Sequence, residues 1–348
     1  MERNMSEKLR GVIIGAGFAS GFHLSGWSNT PEVEIAAICD LRKDRAEARA
    51  SQFGIPKVYS SFREMFDNHK VDFVDIAVPP ALHLEIIREA AARGYHILCQ
   101  KPIAPTMAEL REMIVLTENA GVRFMVNENG RHQPWFRKAK ELINSGTIGE
   151  PYYTYLAYRR RMSLPVADFG DQNFFKTMPK LVIYELGVHY LDTLRYLYGE
   201  AKSVFALTHR ANPELAGEEV ATVLAKFGTV NAVMDMSWAS LPASTVKEWV
   251  SYGPCVIEGT EGTLHLEQNG RFRIIRDTCE EQIEFPKNSE FLAYQNAIQH
   301  FADCLLTGKP FETDGKDTLK TMELVFGAYD AAENNRVYEV GKDISRLA

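Results

Sequence analysis

The chain has 348 residues, 45% hydrophobic and 24% charged, a soluble globular balance in a length too great for one ordinary core. A net charge of -7 excludes the basic footprint of a nucleic-acid or anionic-membrane binder. The five cysteines (Cys39, Cys99, Cys255, Cys279, Cys304) are odd in number and form no CxxC pair, which argues against a disulfide framework or a thiolate zinc site and fits a reducing cytoplasm.

Residues 1–8 are polar, lack the apolar core of a signal peptide and read as a frayed leader. No apolar stretch is long enough to cross a bilayer. From there "LRGVIIGAG", "VEIAAICD", "VDFVDIAVPP", "YHILCQKP" and "VRFMVNEN" are short strand-like runs. Helical stretches such as "RKDRAEARASQFG", "HLEIIREAAARG" and "TMAELREMIVLTENAG" separate them, ending in glycine stops. This alternation implies βαβ units, an α/β doubly wound parallel sheet of the Rossmann type, over residues 1–127.

After about residue 130 the rhythm changes. Helices are expected at "PWFRKAKELINSGTIG", "KLVIYELGVHYLDTLRYLYG", "EFLAYQNAIQHFADCLLTG" and near 315–333. Strands are expected at "PYYTYLAYRRR", "AKSVFALTHR", "EEVATVLAKF", "TVNAVMDMSW", "KEWVSYGPCVIEG", "GTLHLEQ" and "RFRIIRD". Residues 128–348 therefore read as an α+β domain on a large, open, mostly antiparallel sheet.

"VIIGAGFAS" follows a strand and opens a helix. Gly15 permits the tight turn, Gly17 lets the backbone approach a pyrophosphate, and the amides of Phe18 and Ala19 face the anion with the helix dipole behind them. A glycine turn alone need bind nothing, and Ser20 stands where a third glycine is usual. Asp40 strengthens the reading: at the end of the second strand it can accept from the adenosine ribose hydroxyls and repel a 2'-phosphate, favouring NAD over NADP. Arg42, two residues on, can stack on adenine or meet a phosphate. An ordinary strand-end helix cap is the plainer account of Asp40.

Ligands of doubly wound sheets bind outside the carboxyl ends of the strands, so Val78 and Pro79 of "VPP" and Gln100 and Lys101 of "QKP" belong to the cofactor's nicotinamide end. His83 follows on the same edge, as a cofactor contact or a packing histidine. In "YELGVHYLD", Glu185 and His189 are spaced i, i+4 on one helix face, where a carboxylate can orient an imidazole for acid/base work. The same spacing also suits a purely structural contact, and no third ligand supports a metal.

The set formed by the glycine turn, "VPPALH", "QKP", "NENGRHQP" and "ELGVHYLD" resembles the Gfo/Idh/MocA family of NAD(P)-dependent sugar and polyol oxidoreductases, in order, over residues 10–330. "CQKPIAP", "NENGRHQP", "FFKTMPK" and "GEEVATVLAKF" are most similar to D-apiose dehydrogenase-like members. The resemblance implies a Rossmann domain followed by a sheet domain that forms homodimers or homotetramers. It puts Lys101 beside substrate and nicotinamide, makes His189 the acid/base with Glu185 beside it, and adds Asn129 and Arg131 as substrate contacts. Gln100 replaces the family's usual Glu and Glu185 its usual Asp. The implied activity is oxidation of a sugar, sugar acid or polyol hydroxyl by hydride transfer to NAD. The alternatives are an NAD-dependent glycosidase or lyase using transient oxidation, and a non-catalytic dinucleotide-binding regulator. Arg159, Arg160 and Arg161 are candidates for gripping an acidic sugar.

Overall fold

The computed structural model describes residues 8–240 and 253–347. Residues 1–7, read as a leader, and 247–252, read as the start of a strand, lie outside the described residues.

The Val- and Ile-rich runs of the first part become strands buried on both faces, as a parallel sheet covered by helices requires. In chain order they are β1 (Leu9–Ile14), β2 (Val33–Cys39), β3 (Val58–Tyr59), β4 (Phe73–Ile76), β5 (His96–Gln100) and β6 (Phe124–Asn127). The helices between them are α1 (Phe18–Ser28), α2 (Lys43–Phe53), α3 (Phe62–Asn68), α4 (His83–Ala92) and α5 (Met107–Asn119). All neighbours pair in parallel, in the order β3-β2-β1-β4-β5-β6. The order reverses between β1 and β4, and a crevice opens at the carboxyl ends of strands at such a switch point.

The second part continues with α6 (Pro134–Asn144), β7 (Pro151–Arg159) and α7 (Val188–Tyr198). Then come β8 (Ser203–His209), β9 (Val220–Phe227), β10 (Val230–Ser237), β11 (Cys255–Gly259), β12 (Gly262–Leu266), β13 (Arg271–Arg276) and β14 (Cys279–Glu284). Helices α8 (Ser289–Thr307) and α9 (Gly315–Asn334) and the short β15 (Tyr338–Glu339) complete the chain. The sheet has nine strands in the order β14-β13-β12-β11-β7-β10-β9-β8-β15. It is antiparallel except where β7 runs parallel to β10. Alternating burial along β9 and β10 is the mark of a sheet with one covered face, and α7 lies against both strands. Strand β14 has no counterpart in the sequence reading, because "CEEQIE" is too acidic to announce itself.

The two compact units do not divide at residue 127. One takes the described residues up to Asn129 plus Tyr294–Leu319; the other takes Gly130–Ala293 and the chain from Lys320 on. Ile298, Phe301, Ala302 and Cys304 of α8 are buried with Trp27, Phe73, Leu98 and Met125 in one core cluster. The helix assigned by sequence to the second domain therefore completes the first. Burial pushes the thiols of Cys39 and Cys255 up to about 12, the behaviour of small apolar core residues. None of the described helices is long and apolar enough to cross a membrane.

Candidate functional site

Within the first unit the site is built from the carboxyl ends of β1, β2, β4 and β5. Gly15 has φ +107, and a Cβ there would meet the Ala77 carbonyl after β4 at 2.1 Å, so only glycine makes this turn. Gly17 caps α1 without any side-chain hydrogen bond, and a Cβ added to it would meet nothing within 4 Å. The first turn of α1 holds no acid, and Ser20 turns its hydroxyl back to the Gly17 carbonyl at 2.7 Å. Phe18 is exposed and Ala19 half-buried. An uncapped helix N-terminus with open space over a glycine fits a pyrophosphate. Arg49 of α2, which sequence reasoning missed, brings its guanidinium to the Gly17 carbonyl at 3.2 Å and adds positive charge there. It is one of several charged residues on its helix, so nothing in the sequence singled it out.

Asp40 follows β2 and accepts from the Ala16 amide at 2.7 Å and the Arg42 amide at 2.8 Å, one bond to each carboxylate oxygen. Each oxygen keeps a further lone pair, so Asp40 both ties the glycine turn to β2 and offers acceptors to a ribose. The exposed Arg42 guanidinium meets Asp44 at 2.8 Å; the same contact holds the Asp44 carboxyl below its usual range.

Behind this edge lies a buried polar network. Asp75 on β4 is fully buried; Trp27 Nε1 donates to it at 2.7 Å and His23 Nδ1 lies 2.9 Å from both its oxygens. Asn127 Nδ2 donates to His23 Nε2 at 2.8 Å, which makes Nδ1 the protonated nitrogen facing Asp75.

The ring of His83 is fully buried, with Nδ1 2.9 Å from the Ile103 carbonyl and Nε2 2.8 Å from the Val78 carbonyl. Both nitrogens are spent on backbone, which accounts for His83 as a packing histidine. It links the segment after β4, with half-buried Val78 and exposed Pro79, to the segment that follows Lys101. Burial lowers its proton affinity, while the two carbonyls oppose that effect. Gln100 is buried and its Oε1 accepts from the Lys101 amide at 3.1 Å, and the half-buried Lys101 ends this edge. Asn129 is 1% exposed, and among the described residues neither its carboxamide oxygen nor its nitrogen has a hydrogen-bond partner, an arrangement that suits a ligand or water.

In the second unit, Glu185 sits in a π-helical turn, Ile183–Gly187, that runs into α7, and His189 is in the first turn of α7. Such turns are frequent at functional sites, because they re-aim side chains within one helix. Both residues are 7% exposed. Arg131 Nε and Nη2 donate to Asp192 at 2.7 and 2.6 Å, and both side chains are buried. This guanidinium fork lies against the flank of α7. Arg159 pairs with Asp235 at 2.5 Å and Arg161 Nε donates to the Leu164 carbonyl. Among the described residues no cluster of His, Cys, Asp or Glu could hold a metal ion.

Residues 9–128 match the model of an oxidoreductase family with an NAD-binding Rossmann fold, and residues 136–265 match the GFO/IDH/MocA C-terminal domain. The chain is 33% identical to D-apiose dehydrogenase of Paraburkholderia graminis, across 96% of this chain and 90% of that one. It is 32% identical to D-apiose dehydrogenase of Rhizobium rhizogenes, across 97% and 99%. Among solved structures it is similar to an oxidoreductase from Agrobacterium radiobacter in complex with NAD+, L-tartaric acid and magnesium. That similarity has a TM-score of 0.87 and 31% identity, covering 96% of this chain and 99% of that one. With both domain models matched and these relatives spanning nearly its whole length, the chain belongs to the Gfo/Idh/MocA family of NAD-binding oxidoreductases.

Proposed function

We propose that the protein is an NAD-dependent dehydrogenase that oxidises a hydroxyl of a sugar, with a branched or simple pentose as the first candidate. The observation that carries the cofactor half is the open, uncapped turn at Gly17 with Asp40 drawn against it. The substrate half rests on the two D-apiose dehydrogenases that align along nearly the entire chain.

Bound NAD supplies the hydride acceptor. Gly15, Gly17 and the Phe18 and Ala19 amides hold the pyrophosphate, and Asp40 accepts from the ribose. Lys101 donates a hydrogen bond to the reacting oxygen and stabilises the negative charge that grows there, while His189 takes the hydroxyl proton on a ring nitrogen. Glu185 orients His189 or grips a neighbouring hydroxyl. Asn129, with one donor group and one acceptor unspent, holds a further hydroxyl of the sugar. Arg131 supports α7 rather than touching substrate. The enzyme works in the cytoplasm as a homodimer or homotetramer, a reading that size measurement in solution checks directly.

The deciding experiment incubates the protein with NAD and a panel of pentoses including D-apiose, hexoses, sugar acids, inositols and tartrate, and follows NADH. Steady NADH formation with one sugar is expected. Turnover of a glycoside without NADH accumulation would mean the transient-oxidation chemistry instead, and NAD binding without turnover on any compound would mean a regulator.

For the cofactor, Asp40→Ala is expected to weaken NAD binding by about 10- to 100-fold, the worth of hydrogen bonds to a charged acceptor. It should also narrow the preference for NAD over NADP, measured by titrating both coenzymes. A wild type that prefers NADP contradicts the role given to Asp40.

A further inference from the structure

The segment that enters α7 begins with backbone amides that have no carbonyl one turn earlier to bond, the general problem of a helix start. Here one residue on another element solves most of it. Glu218, just before β9, accepts from the Leu181 amide through Oε2 at 3.1 Å and from the Ile183 amide through Oε1 at 3.0 Å. Its backbone carbonyl accepts from the Val182 amide at 3.0 Å. The fourth amide, Tyr184, donates to the Tyr329 hydroxyl at 3.2 Å, and that hydroxyl donates to Glu218 Oε1 at 2.7 Å. Four successive amides are thereby held by a two-residue clamp. The next amide belongs to Glu185 and makes an intrahelical bond, to the Leu181 carbonyl at 2.8 Å.

The neighbouring sequence is built for this approach. Gly217 passes so close that a Cβ would meet the Met178 carbonyl at 2.6 Å and Leu181 Cβ at 2.9 Å. Glu218 is buried, and both its oxygens receive donors, the pattern of a carboxylate and the favourable charge at a helix N-terminus. Glu219, still more deeply buried, does a different job: its Oε1 accepts from the Ala211 and Asn212 amides.

We propose that Glu218 is a positioning residue for the acid/base pair, fixing the register and direction of the first turn that aims Glu185 and His189. This rests on the reading of His189 as the acid/base. A cap that merely stabilises the fold would lower the melting temperature and leave turnover of the folded enzyme untouched. A positioning residue lowers kcat, because displacing reacting groups by about 1 Å costs on the order of 100-fold.

The test measures kcat, sugar KM, NAD affinity and melting temperature for Glu218→Ala, Glu218→Gln, Tyr329→Phe, Glu219→Gln and His189→Asn, all assayed well below their melting points. Glu218→Ala is expected to lose about 10- to 100-fold in kcat with KM and NAD affinity changed less than about twofold. Glu218→Gln keeps one acceptor oxygen and should recover part of that loss, Tyr329→Phe should stay within about threefold of wild type, and Glu219→Gln should match wild type. If Glu218→Ala does not fold, the ordering of Glu218→Gln below Tyr329→Phe and Glu219→Gln carries the decision. Wild-type kcat in the folded Glu218 variants, with His189→Asn impaired, overturns the positioning role alone. Wild-type kcat in His189→Asn overturns the acid/base reading and this inference with it.

Discussion

Lys101→Ala is expected to lower turnover on the true sugar by about two to four orders of magnitude, with NAD binding retained. The oxygen that loses its proton must carry more negative charge in the transition state than in the bound alcohol. A donor aimed at it therefore stabilises the barrier more than the ground state, and its removal appears in kcat rather than in KM. On the function proposed above, coenzyme affinity resides elsewhere, in the Gly15–Gly17 turn and Asp40, which follow β1 and β2 while Lys101 follows β5. Steady-state kinetics of NADH formation together with a coenzyme titration separate the two quantities. A variant with near-normal turnover removes Lys101 from the chemistry; one that loses NAD affinity by the same factor makes it a coenzyme anchor. Lys101→Arg keeps the charge but not the compact point donor, so little recovery is expected from it.

Arg131→Met is expected to destabilise the protein by about 3–5 kcal/mol, because it leaves the Asp192 carboxylate buried without its partner. Thr321 still donates to Asp192 at 3.0 Å, which does not replace a bidentate guanidinium. Replacing both residues, in Arg131→Met with Asp192→Leu, should restore most of that stability, since an apolar pair incurs no desolvation cost for two charges. Thermal denaturation of the single and double variants reads this directly. If the single variant melts with the wild type but its sugar KM rises steeply, Arg131 belongs to the substrate after all.

Arg131 also shows where sequence reasoning runs out. Strand-turn-helix order and a strand-end acid are local patterns, so Gly15, Gly17 and Asp40 could be singled out as candidates from short stretches of sequence. What Arg131 touches depends on Asp192, 61 residues away, and no local pattern distinguishes a guanidinium reserved for substrate from one sealed by a carboxylate. The packing role of His83 was hidden for a related reason. Its position on the right strand edge was legible, but the two carbonyls that occupy its nitrogens become visible only once the segments after β4 and β5 are brought together. The i, i+4 spacing of Glu185 and His189 was readable; the π-helical turn that contains Glu185, and the contacts of Glu218 and Tyr329 with its first amides, were not, because those partners lie far off in sequence. Strand β14 escaped because pairing with β13, rather than its own composition, makes "CEEQIE" extended. An amphipathic helix such as α8 declares that it has an apolar face and says nothing about which sheet will receive it.

That helix has a consequence for how the protein is made. The dinucleotide-binding unit ends its first pass at Asn129 and regains chain only at Tyr294, about 165 residues later. At a synthesis rate of roughly 5–20 residues per second, the nascent unit waits roughly 8–33 seconds for the segment that buries Phe73, Leu98 and Met125. During that interval its apolar sheet face is a natural client for chaperones. A chain cut after Asn129 lacks that cover altogether and is expected to be poorly soluble, so the coenzyme-binding half is a unit that the C-terminal third of the chain completes.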